Sequence, residues 1–229
     1  MTHINMFILI LAVAVGVGGI TVLFQDYAKH GYPYLREYGI HLLSLNVLIL
    51  ISVVFNYIFE NLFDRSESIT AVIIEVGYRV SGCMVSVVFV YTFILLSRRL
   101  LQKEVPQIFK KIYFGVAVLL LLVVSAFGVL SIMERSHIPV LLSDLFATLL
   151  TFSLVMVSNI YLVVHVKYLE DKEKRDAVSV FAWLYLIPGL SVLLFIALHV
   201  MLVVSNNALL VFVFIYCMMV NGMPLLYLK

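Results

Sequence analysis

Polar punctuation cuts this chain of 229 residues into seven apolar runs, at about residues 6–24, 38–59, 69–96, 112–132, 139–164, 178–204 and 208–228. Each is close to the ~20 apolar residues that an α-helix needs to cross the hydrocarbon core of a bilayer. Only 12% of the residues are charged and the mean hydropathy is +1.13, whereas a soluble domain carries charge on about a quarter of its residues. Charge this sparse cannot cover an aqueous surface. The bilayer is therefore the expected partner and solvent, and the sequence predicts an all-α polytopic membrane protein. It reads as a single seven-helix transmembrane domain over 1–229, multi-pass in the cell (inner or plasma) membrane, with no soluble domain. No Lys or Arg precedes the first run and no small-residue cleavage pattern follows it, so it reads as a retained helix and not a signal peptide.

Orientation follows from the Lys and Arg bias of the loops. Arg98, Arg99, Lys103, Lys110 and Lys111 separate runs 3 and 4, and Lys167, Lys172, Lys174 and Arg175 separate runs 5 and 6. Lys29 and Arg36 lie in the polar stretch Gln25 to Glu37 between runs 1 and 2, and Lys229 ends the chain. Only Arg65 and Arg135 fall on the other side. The expectation is an N-terminus outside and a C-terminus in the cytoplasm. The stretch Lys167 to Asp176 mixes both signs and is expected to extend the fifth helix into solvent.

A charge at bilayer depth costs at least a few kcal/mol, so each requires a partner or a role. Glu75 and Arg79 stand at i,i+4 in the outer half of run 3, on one helix face and in the favourable order. Asp144 and His199 lie about one turn inside the outer ends of runs 5 and 6, and Asn56 near the outer end of run 2. The sharp reading is a polar ligand site opening outward; the bland one is mutual neutralisation of Glu75 and Arg79, with Asp144 and His199 at headgroup level. An intrahelical pair alone satisfies few of the five donors of Arg79, which favours the sharp reading. Towards the inner side, Pro188 interrupts run 6, and Asn221, Gly222, Pro224 and Tyr227 punctuate run 7. Proline removes a helix hydrogen bond, so Pro188, Asn221, Pro224 and Tyr227 form a candidate hinge. Pro224 leaves the carbonyl of residue 220 without its usual donor, and the side chain of Asn221 or a water is expected to compensate. The alternative is a fixed kink. Gly16, Gly18 and Gly19 with Ala12 and Ala14 mark small-residue packing faces, and Asn46 and Ser158-Asn159 read as interhelical hydrogen-bond groups.

The cysteines, Cys83 and Cys217, sit inside apolar runs as packing residues. No metal or cofactor pattern emerges, since catalytic zinc needs about three protein ligands and the outer half offers His199 alone. An intramembrane hydrolase is thus the least favoured class, and no enzymatic activity is expected. No internal repeat of the kind found in many transporters is visible, although a proton-coupled carrier using Glu75, Asp144 and His199 remains the alternative. Retinal proteins are excluded in their usual form, because run 7 holds no lysine within the membrane. Receptors coupled to G proteins share only Asn221, Pro224 and Tyr227, with Gly222 where their motif has proline.

The segments Asn221-Gly222-Met223-Pro224-Leu225-Leu226-Tyr227-Leu228 and Leu45-Asn46-Val47-Leu48-Ile49-Leu50, with the seven-run layout of the whole chain, resemble the N-terminal sensory modules of bacterial membrane-bound LuxR-type transcription regulators. The resemblance implies a receptor that binds a small-molecule ligand and relays a helix rearrangement to a cytoplasmic output domain or protein after Lys229. It also implies that this portion of the chain contacts no nucleic acid itself.

Overall fold

The computed structural model describes residues 3–62, 68–200 and 217–224. The described residues form helices α1 (His3–His30), α2 (Pro33–Leu62), α3 (Ile69–Leu100), α4 (Gln107–Glu134), α5 (Ile138–His165) and α6 (Lys172–Val200), followed by a helical segment, α7, at 217–224. No strand occurs among them. The helices α1 to α5 are long and apolar enough to cross a membrane. α6 opens on Lys172-Glu173-Lys174-Arg175-Asp176, and the apolar run expected at 178–204 continues past Val200, outside the described residues. The run expected at 208–228 is described only over 217–224.

The helix ends have identifiable local causes. Ser68 caps α3, its Oγ accepting the Ala71 N–H at 3.2 Å, and Asp171 caps α6 through the Lys174 N–H at 3.2 Å, as N-cap side chains do for orphan donors. Pro33 occupies the first position of α2, where its missing N–H costs nothing. α1, α3 and α4 stop at left-handed residues, Gly31 (φ 70°), Gln102 (φ 57°) and Arg135 (φ 51°). At the last two, paired bonds close a Schellman motif: Lys103 N–H to Arg98 O and Gln102 N–H to Arg99 O, then Ser136 N–H to Ser131 O and Arg135 N–H to Ile132 O.

Several boundaries differ from the apolar runs. α1 continues to His30, α2 begins at Pro33 and α4 begins at Gln107, because helical backbone is satisfied internally and continues beyond the hydrocarbon until a capping signal stops it. Arg36 and Glu37 are therefore helical and not part of a loop. The expected extension of the fifth helix also fails: α5 ends at His165 in a single 3₁₀ turn, Val166–Tyr168, and Leu169 is extended.

The chain divides into two compact units. One comprises Met1–Leu43, Thr92–Glu104 and Val155–Lys229; the other comprises Ser44–Tyr91 and Val105–Leu154. In the first, Leu101, Leu162, Val166, Leu169, Val178 and Ala182 form a buried apolar cluster. There α1 and α7 approach so closely that a Cβ built on Gly19 would lie 2.6 Å from the backbone oxygen of Asn221. In the second, Cys83, Leu120, Val124 and Ala147 pack together, and Gly128 receives the side chain of Val76. Large apolar residues such as Leu119, Leu122 and Phe146 are about 60% exposed (61%, 63% and 60%). A helical surface of that kind, carrying almost no charge, is matched by lipid and not by water. Between helices in lipid, close packing of small residues and interhelical hydrogen bonds supply the attraction, and Gly19, Gly128 and the polar contacts below are its visible elements.

Candidate ligand site

The second unit concentrates its charge around Arg79. Nη1 of Arg79 donates to Asp144 Oδ2 at 2.6 Å, and Nη2 donates to Glu75 Oε1 at 3.1 Å. The guanidinium also lies 5.1 Å from the ring centroid of Tyr78, a ring that stacks on Phe55 of α2 at 3.9 Å. Arg79 Nε is buried and makes no hydrogen bond among the described residues. Side-chain exposure is 19% for both Arg79 and Asp144, so the pair is largely withdrawn from solvent.

A residue that sequence reasoning did not single out completes the group. His137 Nδ1 pairs with the second oxygen of Glu75, Oε2. The position of this imidazole traces to the turn between α4 and α5. The left-handed Arg135 reverses the chain in three residues, and the Ser131 Oγ accepts the Val140 N–H at 2.9 Å. His137 O in turn accepts the Leu141 N–H at 3.1 Å. These bonds fix the start of α5 beside the end of α4 and leave the His137 ring facing Glu75. A Ser–x–x–x–Arg–Ser–His sequence across a tight turn was the available signal. It was passed over because the turn lies beyond the apolar runs.

Of the five expected ligand-site residues, Glu75, Arg79 and Asp144 thus share one cluster. The side chains of His199 and Asn56 lie outside the described residues, although Phe55, next to Asn56, reaches Tyr78.

The candidate hinge is described in part, within the first unit. Pro188 lies inside α6 without ending it, and its side chain and Tyr227 are outside the described residues. Asn221 Nδ2 donates to Ala12 O in α1 at 3.1 Å. The Val220 carbonyl, the one that Pro224 frees, accepts the Tyr38 hydroxyl of α2 at 3.3 Å. Gly19 lets α1 come near enough to engage the Asn221 amide. A Cβ on Gly222 would meet Val15 Cγ1 of α1 at an ordinary 3.9 Å.

The same unit buries a second polar group. Glu37, only 4% exposed, pairs with Arg99 Nε at 3.5 Å. One turn on, His41 is fully buried between the rings of Phe93 and Tyr185, at 5.2 and 5.9 Å. Asn159 Nδ2 donates to Ala182 O at 3.2 Å, and its Oδ1 has no hydrogen-bond partner among the described residues. Among the described residues no three His, Cys, Asp or Glu side chains are grouped to hold a metal ion. α3 supplies residues to both polar groups, Glu75 and Arg79 to one and Phe93 and Arg99 to the other.

No protein-family model, curated protein or solved structure matches the chain.

Proposed function

We propose that the protein is a multi-pass membrane receptor that binds a small molecule at Arg79 and passes a helix rearrangement to the opposite side of the membrane. The observation that carries this reading is the arrangement of Arg79: two carboxylates hold it, one of them also holds the α4–α5 turn, and its Nε is a buried donor with no hydrogen bond among the described residues. A structural ion pair needs only one carboxylate. Here one guanidinium joins α3, α5 and the turn before it, so a ligand that competes for Arg79 alters all three connections together. Two carboxylates face one guanidinium, so they offer it four acceptor oxygens. That arrangement favours a ligand with a cationic or donor group for the carboxylates and an acceptor for Arg79 Nε. Small amino acids and amino alcohols belong to that class.

The seven-span layout with the N-terminus outside belongs to the same proposal and is supported by the Lys and Arg distribution. On that layout Glu75, Arg79 and Asp144 belong to the outer ends of runs 3 and 5, and Gly19 to the inner end of run 1. α3, with residues in both polar groups, is the proposed route between them. The resemblance to sensory modules of LuxR-type regulators points to an output domain or protein beyond Lys229.

Thermal unfolding in detergent against a panel of small amino acids, amino alcohols and simple carboxylates tests the reading. A ligand from the first two classes should raise the midpoint of the native chain and lose its effect in Asp144→Asn. If none does so, or if the shift survives that substitution, the site is wrong. Accumulation of the stabilising compound inside sealed vesicles would identify a carrier instead.

A further inference from the structure

The basic end of α3 and α5, wholly within the first unit, carries a second concentration of charge that the receptor reading does not use. The Schellman turn at Gln102 folds Lys103 back onto the end of α3, its N–H bonded to Arg98 O at 2.9 Å. Its Nζ then lies 5.8 Å from the ring centroid of Tyr161 on α5. Arg98 lies 4.6 Å from the same centroid, and its Nη1 donates to the Tyr161 hydroxyl at 3.2 Å. The His165 ring stacks on Tyr161 at 3.9 Å. The 3₁₀ turn that ends α5 sets Lys167 Nζ 5.0 Å from the ring centroid of Tyr168, which is 68% exposed.

Among the described residues, Arg98, Lys103 and Lys167 have no carboxylate partner. The acids that could neutralise them are engaged or turned outward: Glu37 holds Arg99, Asp171 caps α6, and Glu104 and Glu170 are exposed. Cations at helix C-termini offset the helix dipole, but two helix ends amount to only about one negative charge together. The three cations exceed that by about two charges. Tyrosines with one apolar and one wet side are the side chains that settle at the level of lipid headgroups, and basic groups there attract anionic lipid.

We propose that Arg98, Lys103 and Lys167, framed by Tyr161 and Tyr168, form a binding site for the headgroup of an anionic phospholipid. The shared chemistry is a phosphate, which free phosphate could also supply, and the experiment separates the two sources. The intact chain in detergent is equilibrated with phosphatidylglycerol, with phosphatidylcholine, or with inorganic phosphate alone, and bound molecules are counted by native mass spectrometry. The native chain should retain phosphatidylglycerol in preference to phosphatidylcholine. Lys103→Gln with Lys167→Gln, both on the surface, should weaken that retention about fivefold per charge removed. Lys172→Gln with Lys174→Gln removes the same charge from the start of α6 and should change it less than twofold. Equal losses in the two double variants would reduce the effect to diffuse attraction and overturn the site. Equal retention of the two lipids would overturn it as well. Retention of inorganic phosphate with the same dependence on Lys103 and Lys167 would overturn the assignment to lipid.

Discussion

Replacing Gly19 with alanine tests the close approach of α1 to α7. The added Cβ would stand 2.6 Å from the Asn221 backbone oxygen and 3.5 Å from Pro224 Cγ, whereas ordinary contact begins near 3.4 Å. The obstacle is helix backbone, which cannot rotate away as a side chain can, so α1 and α7 must separate by several tenths of an ångström. Overfilling a packed interface costs about 1–3 kcal/mol, while alanine gains up to ~1 kcal/mol over glycine within a helix. The adjacent Gly18 provides the control, because a Cβ there meets nothing within 4 Å. Propensity cancels between the two variants, and the difference reads the overlap alone, about 1–3 kcal/mol in favour of Gly18→Ala. For a chain of this length that corresponds to a difference in midpoint of roughly 2–10 °C, measured by thermal unfolding of the purified protein in one detergent. Separation of the helices should also lengthen the bond from Asn221 to Ala12, and backbone amides at 217–224 should exchange faster in Gly19→Ala alone. Equal midpoints, or a more stable Gly19→Ala, would show that α1 does not pack against α7 at this residue.

Other substitutions probe the remaining contacts. In a double-mutant cycle of Arg79→Gln and Asp144→Asn, unfolding free energies should show a coupling of about 1–3 kcal/mol; a coupling near zero would remove the ion pair from the account. Ser131→Ala deprives the Val140 N–H of its acceptor and should cost about 1 kcal/mol of thermal stability, with faster amide exchange at the start of α5. Tyr38→Phe should cost ~0.5–1.5 kcal/mol by taking the donor from Val220 O. Pro224→Ala restores a backbone donor to that carbonyl, so the cost of Tyr38→Phe should shrink in that background. Additive effects of the two substitutions would contradict the geometry.

The apolar runs were legible because a helix crossing hydrocarbon must be apolar for its full length, and the first five correspond to α1–α5. Where the helices stop was less legible. Burial ends at the interface, but the backbone continues until Gly31, Gln102 or Arg135 takes a left-handed conformation, and two of these three are residues with no strong preference for it. Glu75, Arg79 and Asp144 stood out because charge inside an apolar run is costly. His137 carries no such cost in a turn, so nothing in its surroundings drew attention to it. Glu37 was misplaced for a related reason. The polar composition of Gln25–Glu37 reads as a loop, yet Pro33 starts a helix there and carries Glu37 into the interior. The Tyr38 bond to Val220 joins residues 182 positions apart, and no local pattern encodes such a partner. For the same reason, proline chemistry identifies the carbonyl needing a donor at residue 220 but not Tyr38 as a donor to it.

The central claim is that the state of the Arg79 group governs the position of the final helix. Spin labels at Lys172, the first residue of α6, and at Met219, an exposed residue of α7, allow that distance to be measured by pulsed dipolar spectroscopy. Arg79→Gln releases the connections that a ligand is proposed to compete for, so no ligand is needed. The account predicts a shift of about 1–5 Å in the distance distribution, the size of helix movements in switching proteins. Superimposable distributions in the native chain and in Arg79→Gln would contradict it, leaving the cluster as a static brace with no link to α7.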